Sequence, residues 1–192
     1  VYNDGGFLSQ ALESILKQSF ANFEFLILDD GSTDLSLKII KGFKDKRIKI
    51  FQNEKRRGLA KGLNFLIKQA KGKYIARMDG DDISLTNRLK EQIEFLDKHP
   101  QVVLVGSWAK IINDKGKIIG EFKYPTKYED VRKIILSYNP FVHSSIMFRK
   151  NVFKKIGGYN ENLFYSQDYD LFLRLAAKFP CANIAKCLLK FR

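Results

Sequence analysis

The sequence predicts an α/β fold: a Rossmann-like, mostly parallel sheet with helices on both faces. Two observations carry this. Through the first half of the chain, segments with a helical apolar period alternate with short apolar runs, the order of parallel strands joined by right-handed crossovers. The runs are nearly continuous rather than alternating in polarity, as strands covered on both faces require. Composition agrees: 192 residues make one ordinary domain, and 45% apolar residues, with 16 Phe and 8 Tyr, can fill a sizeable core and exclude disorder.

The elements follow in order. "FLSQALESILKQ" puts Leu8, Leu12, Ile15 and Leu16 on one helical face. "FEFLIL" (23–28) is a strand that breaks at "DDGSTD". "LSLKIIKGF" is a helix carrying Leu35, Ile39, Ile40 and Phe43, and "IKIFQ" (48–52) is the next strand. "GLAKGLNFLIKQA" is a helix with Leu59, Leu63, Leu66 and Ile67 apolar, and "KYIARM" is a third strand. Beyond it the pattern is more mixed. "TNRLKEQIEFLDKH" is an amphipathic helix ended by Pro100. "VVLVGSWAKII" and "KIIGEF" are strands around a tight "NDKG" turn. "KYEDVRKIILSY" is a helix, "SSIMF" a short strand, "NVFKKIGGY" a helix closed by Gly157 and Gly158, and "YDLFLRLAAKF" a last helix burying Leu171, Phe172, Leu175 and Phe179. No linker or repeat divides the chain, so 1–192 reads as one domain. The opening "VYNDGG" reads as the exit from a strand, and the closing "CLLKFR" as equally cut. Truncation at both ends is therefore expected.

Net charge is +13, and residues 41–73 hold twelve Lys or Arg against Asp45 and Glu54. Such a surface favours anionic partners, nucleotides or an anionic membrane among them. No zinc finger, RNA-stacking motif or basic recognition helix is visible, so no nucleic acid is expected. Cys181 and Cys187 lack metal spacing and read as reduced thiols of a cytoplasmic protein. No apolar run reaches the roughly 20 residues of a membrane span. A GxGxxG or GxxxxGK[ST] phosphate loop is also missing.

Two acidic clusters stand at predicted strand ends: Asp29 and Asp30 after "FLIL", and Asp79, Asp81 and Asp82 after "YIARM". Ligands of open α/β sheets bind beyond the carboxyl ends of the strands. Carboxylates this close repel one another unless a cation or donors compensate them. A hard divalent cation, Mn²⁺ or Mg²⁺, held by one or two carboxylates and a substrate diphosphate, meets that need. The competing reading is structural, with Ser32 or Thr33 capping the next helix and Asp34 in its first turn.

Taken together, "VYN" (1–3), "SILKQSFANFEFLILDDGSTD" (14–34), Asn53 with "GLAKGLN" (58–64), "GKYIARMDGDD" (72–82), "RLKEQ" (88–92), "NPFVHSSIMFRK" (139–150), "GGYNE" (157–161) and "QDYDLFLRLA" (167–176) resemble glycosyltransferase family 2, inverting enzymes with the GT-A nucleotide-diphospho-sugar fold. The resemblance spans essentially the whole chain. It implies a nucleotide-sugar-binding half at 1–99 and an acceptor-binding half at 100–192. By position, Tyr2 and Asn3 would line the base pocket, Asp30 would bond a uracil-type base, and Asp29 would lie beside it. Asp79 and Asp81 match the family's DxD pair, near the ribose and on the metal respectively. Asp168 matches the catalytic base. The family's usual Glu-Asp is Gln167-Asp168 here, which removes one charge near the acceptor. Taken alone, Asp168 also reads as a helix cap.

Arg77 is a candidate contact for the donor phosphate or a partner for an aspartate, and Arg56 and Arg57, with Arg57 the donor candidate, face the donor or water. His143, Gln167 and Asp82 are candidate acceptor or metal contacts. Trp108 reads as packing and His99 as a helix-end partner. The implied activity is hexosyl transfer from a UDP-sugar to a glycan or lipid-linked hydroxyl, with inversion and a bound metal. A lipid-linked acceptor would put the enzyme at the inner face of the cytoplasmic membrane. The rivals are a sugar nucleotidyltransferase and a basic nucleic-acid-binding domain.

Overall fold

Residues 1–192 are described by a computed structural model. Along the chain run α1 (Leu8–Leu16), β1 (Phe25–Asp29), α2 (Ser36–Gly42), β2 (Ile48–Gln52), α3 (Leu59–Gln69), β3 (Tyr74–Ala76), β4 (Ile83–Ser84) and α4 (Arg88–Lys98). Then come β5 (Leu104–Ile112), β6 (Ile118–Phe122), α5 (Tyr128–Ile134), a 3₁₀ turn (His143–Ser145), β7 (Met147–Arg149), α6 (Lys150–Ile156), α7 (Gln167–Ala176) and β8 (Cys181–Phe191). The helices form where the apolar period predicts. Leu8, Ala11, Leu12 and Ile15 are the buried stripe of α1, and Leu171, Phe172, Leu175 and Ala176 that of α7. Gly157, left-handed at φ 85°, ends α6.

The α/β class stands, but its hydrogen-bonded ladders are more mixed than the sequence suggests. β1 and β2 form a parallel pair, Phe25 opposite Ile48 through Asp29 opposite Gln52. A six-stranded sheet runs β3-β7-β5-β8-β4, with β6 also on β5. Within it only β5 and β8 pair in parallel. A tight turn such as 113–116 can join only antiparallel strands, and β3 takes its partner from the second half, in β7. The eleven-residue β8 was not foreseen. With β4 on β8 and β3 on β7, the two halves share one sheet.

Helices cover both faces of this sheet. The largest core cluster packs Val131 and Ile135, Val152 and Phe153, and Leu171, Phe172 and Leu175 against Leu104 and Phe148. A second cluster, with Leu89 and Leu96 of α4, lies on Val105, Met147 and Ala182. The β1–β2 pair has its own core of Leu8, Leu12, Ile27 and Ile40. Odd residues of β1 bond toward β2, as Phe25 N–H to the Arg47 carbonyl. On the opposite edge Asp30 N–H donates to the Val1 carbonyl, and the Val1 ammonium to the Leu28 carbonyl. No helix is long and apolar enough to cross a membrane.

Candidate active site

Alternation through the end of β1 sends Asp29, its last residue, and Asp30, just beyond it, to opposite faces. Ile27 packs on α1 and α2. Leu28 faces α3, where its Cδ2 lies 3.0 Å from the place a Gly62 Cβ would occupy. Asp29 follows Ile27 inward and is fully enclosed, with no donor on either oxygen. Asp30 follows Leu28 to the start of α3. Its Oδ1 accepts from Asn53 Nδ2 (2.7 Å) and the Arg57 amide (2.9 Å), and its Oδ2 from the Gly58 amide (2.8 Å). A carboxylate has about four acceptor sites, so one stays free on Oδ2. The DDGSTD turn is stitched to the opening loop. Asn3 accepts from the Thr33 amide and donates its own N–H to Ser32 Oγ; Asp34 accepts from the Gly5 and Ser36 amides. Asp34, not Ser32 or Thr33, therefore serves the start of α2. Arg56 stacks its guanidinium 4.2 Å above the Tyr2 ring.

The DGDD loop follows β3. Arg77 and Ser144 Oγ donate to the Asp79 carboxylate, and the Asp79 amide donates to Ser144 Oγ. Asp4 explains the glycine between the acids: its Oδ2 is 2.7 Å from where a Gly80 Cβ would lie. Burial, with the charges of Asp79 and then Asp4, raises the Asp81 carboxyl above its ordinary value. Burial pushes Asp82 up to about 6, although the Arg192 amide donates to it at 2.8 Å. Beneath the loop lies Arg88, fully buried and bonded to the Arg77 and Ile146 carbonyls. Its burial, aided by the nearby Arg77 charge, lowers it to about 9.

On the other side, α7 starts at Gln167, with Ser166 as its cap in the left-handed region at φ 55°. Asp168 is therefore inside the first turn rather than the cap itself. Its Oδ2 accepts from Asn139 Nδ2 at 3.1 Å. Tyr159 is buried nearby, its hydroxyl 2.9 Å from His143 Nε2. Burial raises the phenol well above its ordinary value; Arg77 opposes the rise, and the charges of Asp168 and Asp79 add to it. Burial, then Arg77, holds His143 well below the usual imidazole range, so the ring is neutral. The His143 ring packs edge-on to Phe172, and the Tyr159 ring lies between His143 and Phe153.

The structure thus ties Asp79, with Arg77, and Asp168 to the segment 139–145, which also carries His143 and its bond to Tyr159; Asp81 and Asp82 follow Asp79 in the loop, and Tyr2, Asn3, Asp30 and Arg57 stand at the end of β1. Asp29 and His143 depart from the donor and the metal or acceptor readings, and Arg77 takes its other one, a pair with an aspartate. Asp29 and Arg77 are enclosed; Arg77 spends its guanidinium on Asp79 and Ser144, and neither offers free polar surface to a donor. His143 is tied to Tyr159 rather than open to a metal or acceptor. Gln167 has its Oε1 buried without a partner. Trp108 is a packing residue whose indole donates to the Tyr124 carbonyl. No group of three or more His, Cys, Asp or Glu is arranged to hold a metal, so Asp79 and Asp81 form at most part of a ligand set. Sequence reasoning missed Asp4, Ser144, Asn139 and Arg192. Ser144 and Asn139 lie inside the quoted "NPFVHSS"; Asp4 and Arg192 had no local signal.

Comparison with known proteins agrees with this fold. The family model "Glycosyl transferase family 2" matches residues 1–157. An uncharacterized glycosyltransferase of Methanocaldococcus jannaschii, MJ1057, is 36% identical over 192 residues, covering 97% of this chain and 66% of that protein. The O-antigen biosynthesis glycosyltransferase WbnJ of Escherichia coli is 36% identical over 188 residues, covering 95% and 72%. The crystal structure of S. aureus TarS 1-349 in complex with UDP-GlcNAc superposes with a TM-score of 0.81 at 25% identity, covering 99% of this chain and 56% of that one. The chain thus spans about two thirds of the length of these curated relatives. With the fold, the strand-end carboxylates and the family match in agreement, the chain belongs to glycosyl transferase family 2 and has its GT-A fold.

Proposed function

We propose that the chain is the catalytic part of an inverting, metal-dependent glycosyltransferase. It moves a hexose from a UDP-sugar to a hydroxyl of a glycan or lipid-linked acceptor. The observation that carries this reading is that one segment, 139–145, holds both acids: Asn139 donates to Asp168 and Ser144 Oγ to Asp79. The acidic loop and the candidate base therefore lie against the same stretch of chain.

Asp30, with one free acceptor site, bonds the base, and Tyr2 with Arg56 forms the wall beside it. Arg57 reaches the donor from the same loop. Asp79 and Asp81 suit a divalent cation: their oxygens are hard ligands, and negative charge crowded by burial, Asp79 and Asp4 is what a cation relieves. Such a cation supplies Lewis-acid stabilisation of the departing diphosphate. Asp168 accepts the proton of the attacking hydroxyl. The acceptor oxygen bonds C1 as the C1–O bond to phosphate breaks, and the electron pair leaves with the nucleoside diphosphate. One base and no carboxylate nucleophile give a single displacement, hence inversion.

The relatives support this choice of class: WbnJ is described as an O-antigen biosynthesis enzyme, and TarS was solved with UDP-GlcNAc. A lipid-linked acceptor fits a basic chain working at an anionic membrane face. Calorimetric titration of UDP with and without Mn²⁺, into the wild type and Asp81→Ala, tests the donor site. Metal-dependent binding lost in the variant is expected; metal-independent UDP binding overturns the cation assignment. Release of pyrophosphate instead of UDP from a UDP-sugar would point to a nucleotidyltransferase.

A further inference from the structure

Asn139 is the one side chain that hydrogen-bonds the Asp168 carboxylate, and its orientation is not free. Its Oδ1 accepts from the Phe141 amide at 3.1 Å, so its Nδ2 is the end that faces Asp168 Oδ2 at 3.1 Å. An amide anchored at its oxygen can only donate at the other end. Pro140, between the two anchors, fixes the backbone φ there. The loop is held further by Asn183, which donates to the Pro140 carbonyl.

We propose that Asn139 is a positioning residue for the reaction. It holds Oδ2 of Asp168 and so leaves Oδ1 as the oxygen that takes the acceptor's proton. This rests on the reading of Asp168 as the base. The titratable and charged groups sharing the space are Tyr159 with His143 behind it, and Arg77 and Asp79 on the donor side. Asp170, on the same helix, is neutralised by Arg174.

Asn139→Asp is the informative variant. It keeps an oxygen for the Phe141 amide and replaces only the donor to Asp168 with a like charge. Aspartate carboxyl-¹³C titration, with the Asp168 signal identified by its absence in Asp168→Asn, reads the contact without any substrate. The expected result is an upward shift of the Asp168 midpoint by about one pH unit or more. Asn139→Ser, too short to reach Asp168, is the second variant should Asn139→Asp fold poorly, and a smaller upward shift is expected. UDP release from a UDP-sugar should fall about 100-fold in kcat in Asn139→Asp, with its acid limb moved upward and the Kd for UDP unchanged. An Asp168 midpoint unmoved in both variants overturns the proposal and leaves the base reading intact. An unchanged kcat in a folded Asn139→Asp also overturns it, since an anchor for Phe141 alone would survive that change. Full turnover by Asp168→Asn, by contrast, sinks the base reading itself.

Discussion

The two carboxylates at the ends of the site are held in opposite ways. Asp30 is nearly enclosed and takes three donors, two of them backbone amides. Asp168 takes one, from a side chain, and the loop before it exposes Phe164 and Tyr165 at 94% and 87%. In the proposed reading, the donor end is built in advance by backbone hydrogen bonds, whereas the acceptor end is open, with few groups already committed. That is the division expected when one substrate is common to many enzymes and the other varies. It separates pre-organisation from adaptability within one domain.

The sharpest way to break this comparison is at the open end. Asp168→Asn should lower turnover about 1,000-fold, equivalent to about 4 kcal/mol of barrier, with UDP affinity by calorimetry unchanged. An equal loss of UDP affinity would mean the two ends are not separable. At the built end, Asp30→Ala leaves two amides and Asn53 without their acceptor. Chemical denaturation should register about 3 kcal/mol of lost stability, together with weaker UDP binding. Between the ends, Asn64→Ala removes the α3 side chain that bonds Tyr159 and Glu161. About 2 kcal/mol of stability should go with it, and a smaller loss would make the shared sheet the main tie between the halves. The smallest effect belongs to Phe164→Ser, which should change stability by no more than about 0.5 kcal/mol. A large drop there would show that the exposed loop packs in solution.

How much could be read from the chain follows the same division. β2 matches its expected span because "IKIFQ" is a compact apolar run between a polar loop and a basic turn. β8 escaped notice because "CANIAKCLLKF" mixes Asn and Lys with apolar residues and becomes a strand through its parallel pairing with β5. Asp30, Asp79 and Asp81 stood out as candidates because they follow predicted strands, and Asp168 through the family resemblance. Their partners did not. Ser144 is 65 residues from Asp79, and Asp4 reaches Gly80 only because the opening loop folds across the end of β3. Contacts between loops distant in sequence leave no periodic trace, so the candidate acids stood out and their hydrogen-bond partners did not.

Asn64 carries a last consequence, for sequence variation. Its Oδ1 lies 2.7 Å from where a Cβ on Gly158 would be, and Gly158 itself has φ +76°. The side chain at one position fills the space that a side chain at the other would need. Substitutions at 64 and 158 are therefore not independent: a chain that keeps the amide must keep the glycine. Relatives that lose the glycine should carry a shorter residue at 64 and a differently shaped turn before α7. That is a covariance written by one close approach, and a deep set of family sequences can be searched for it directly.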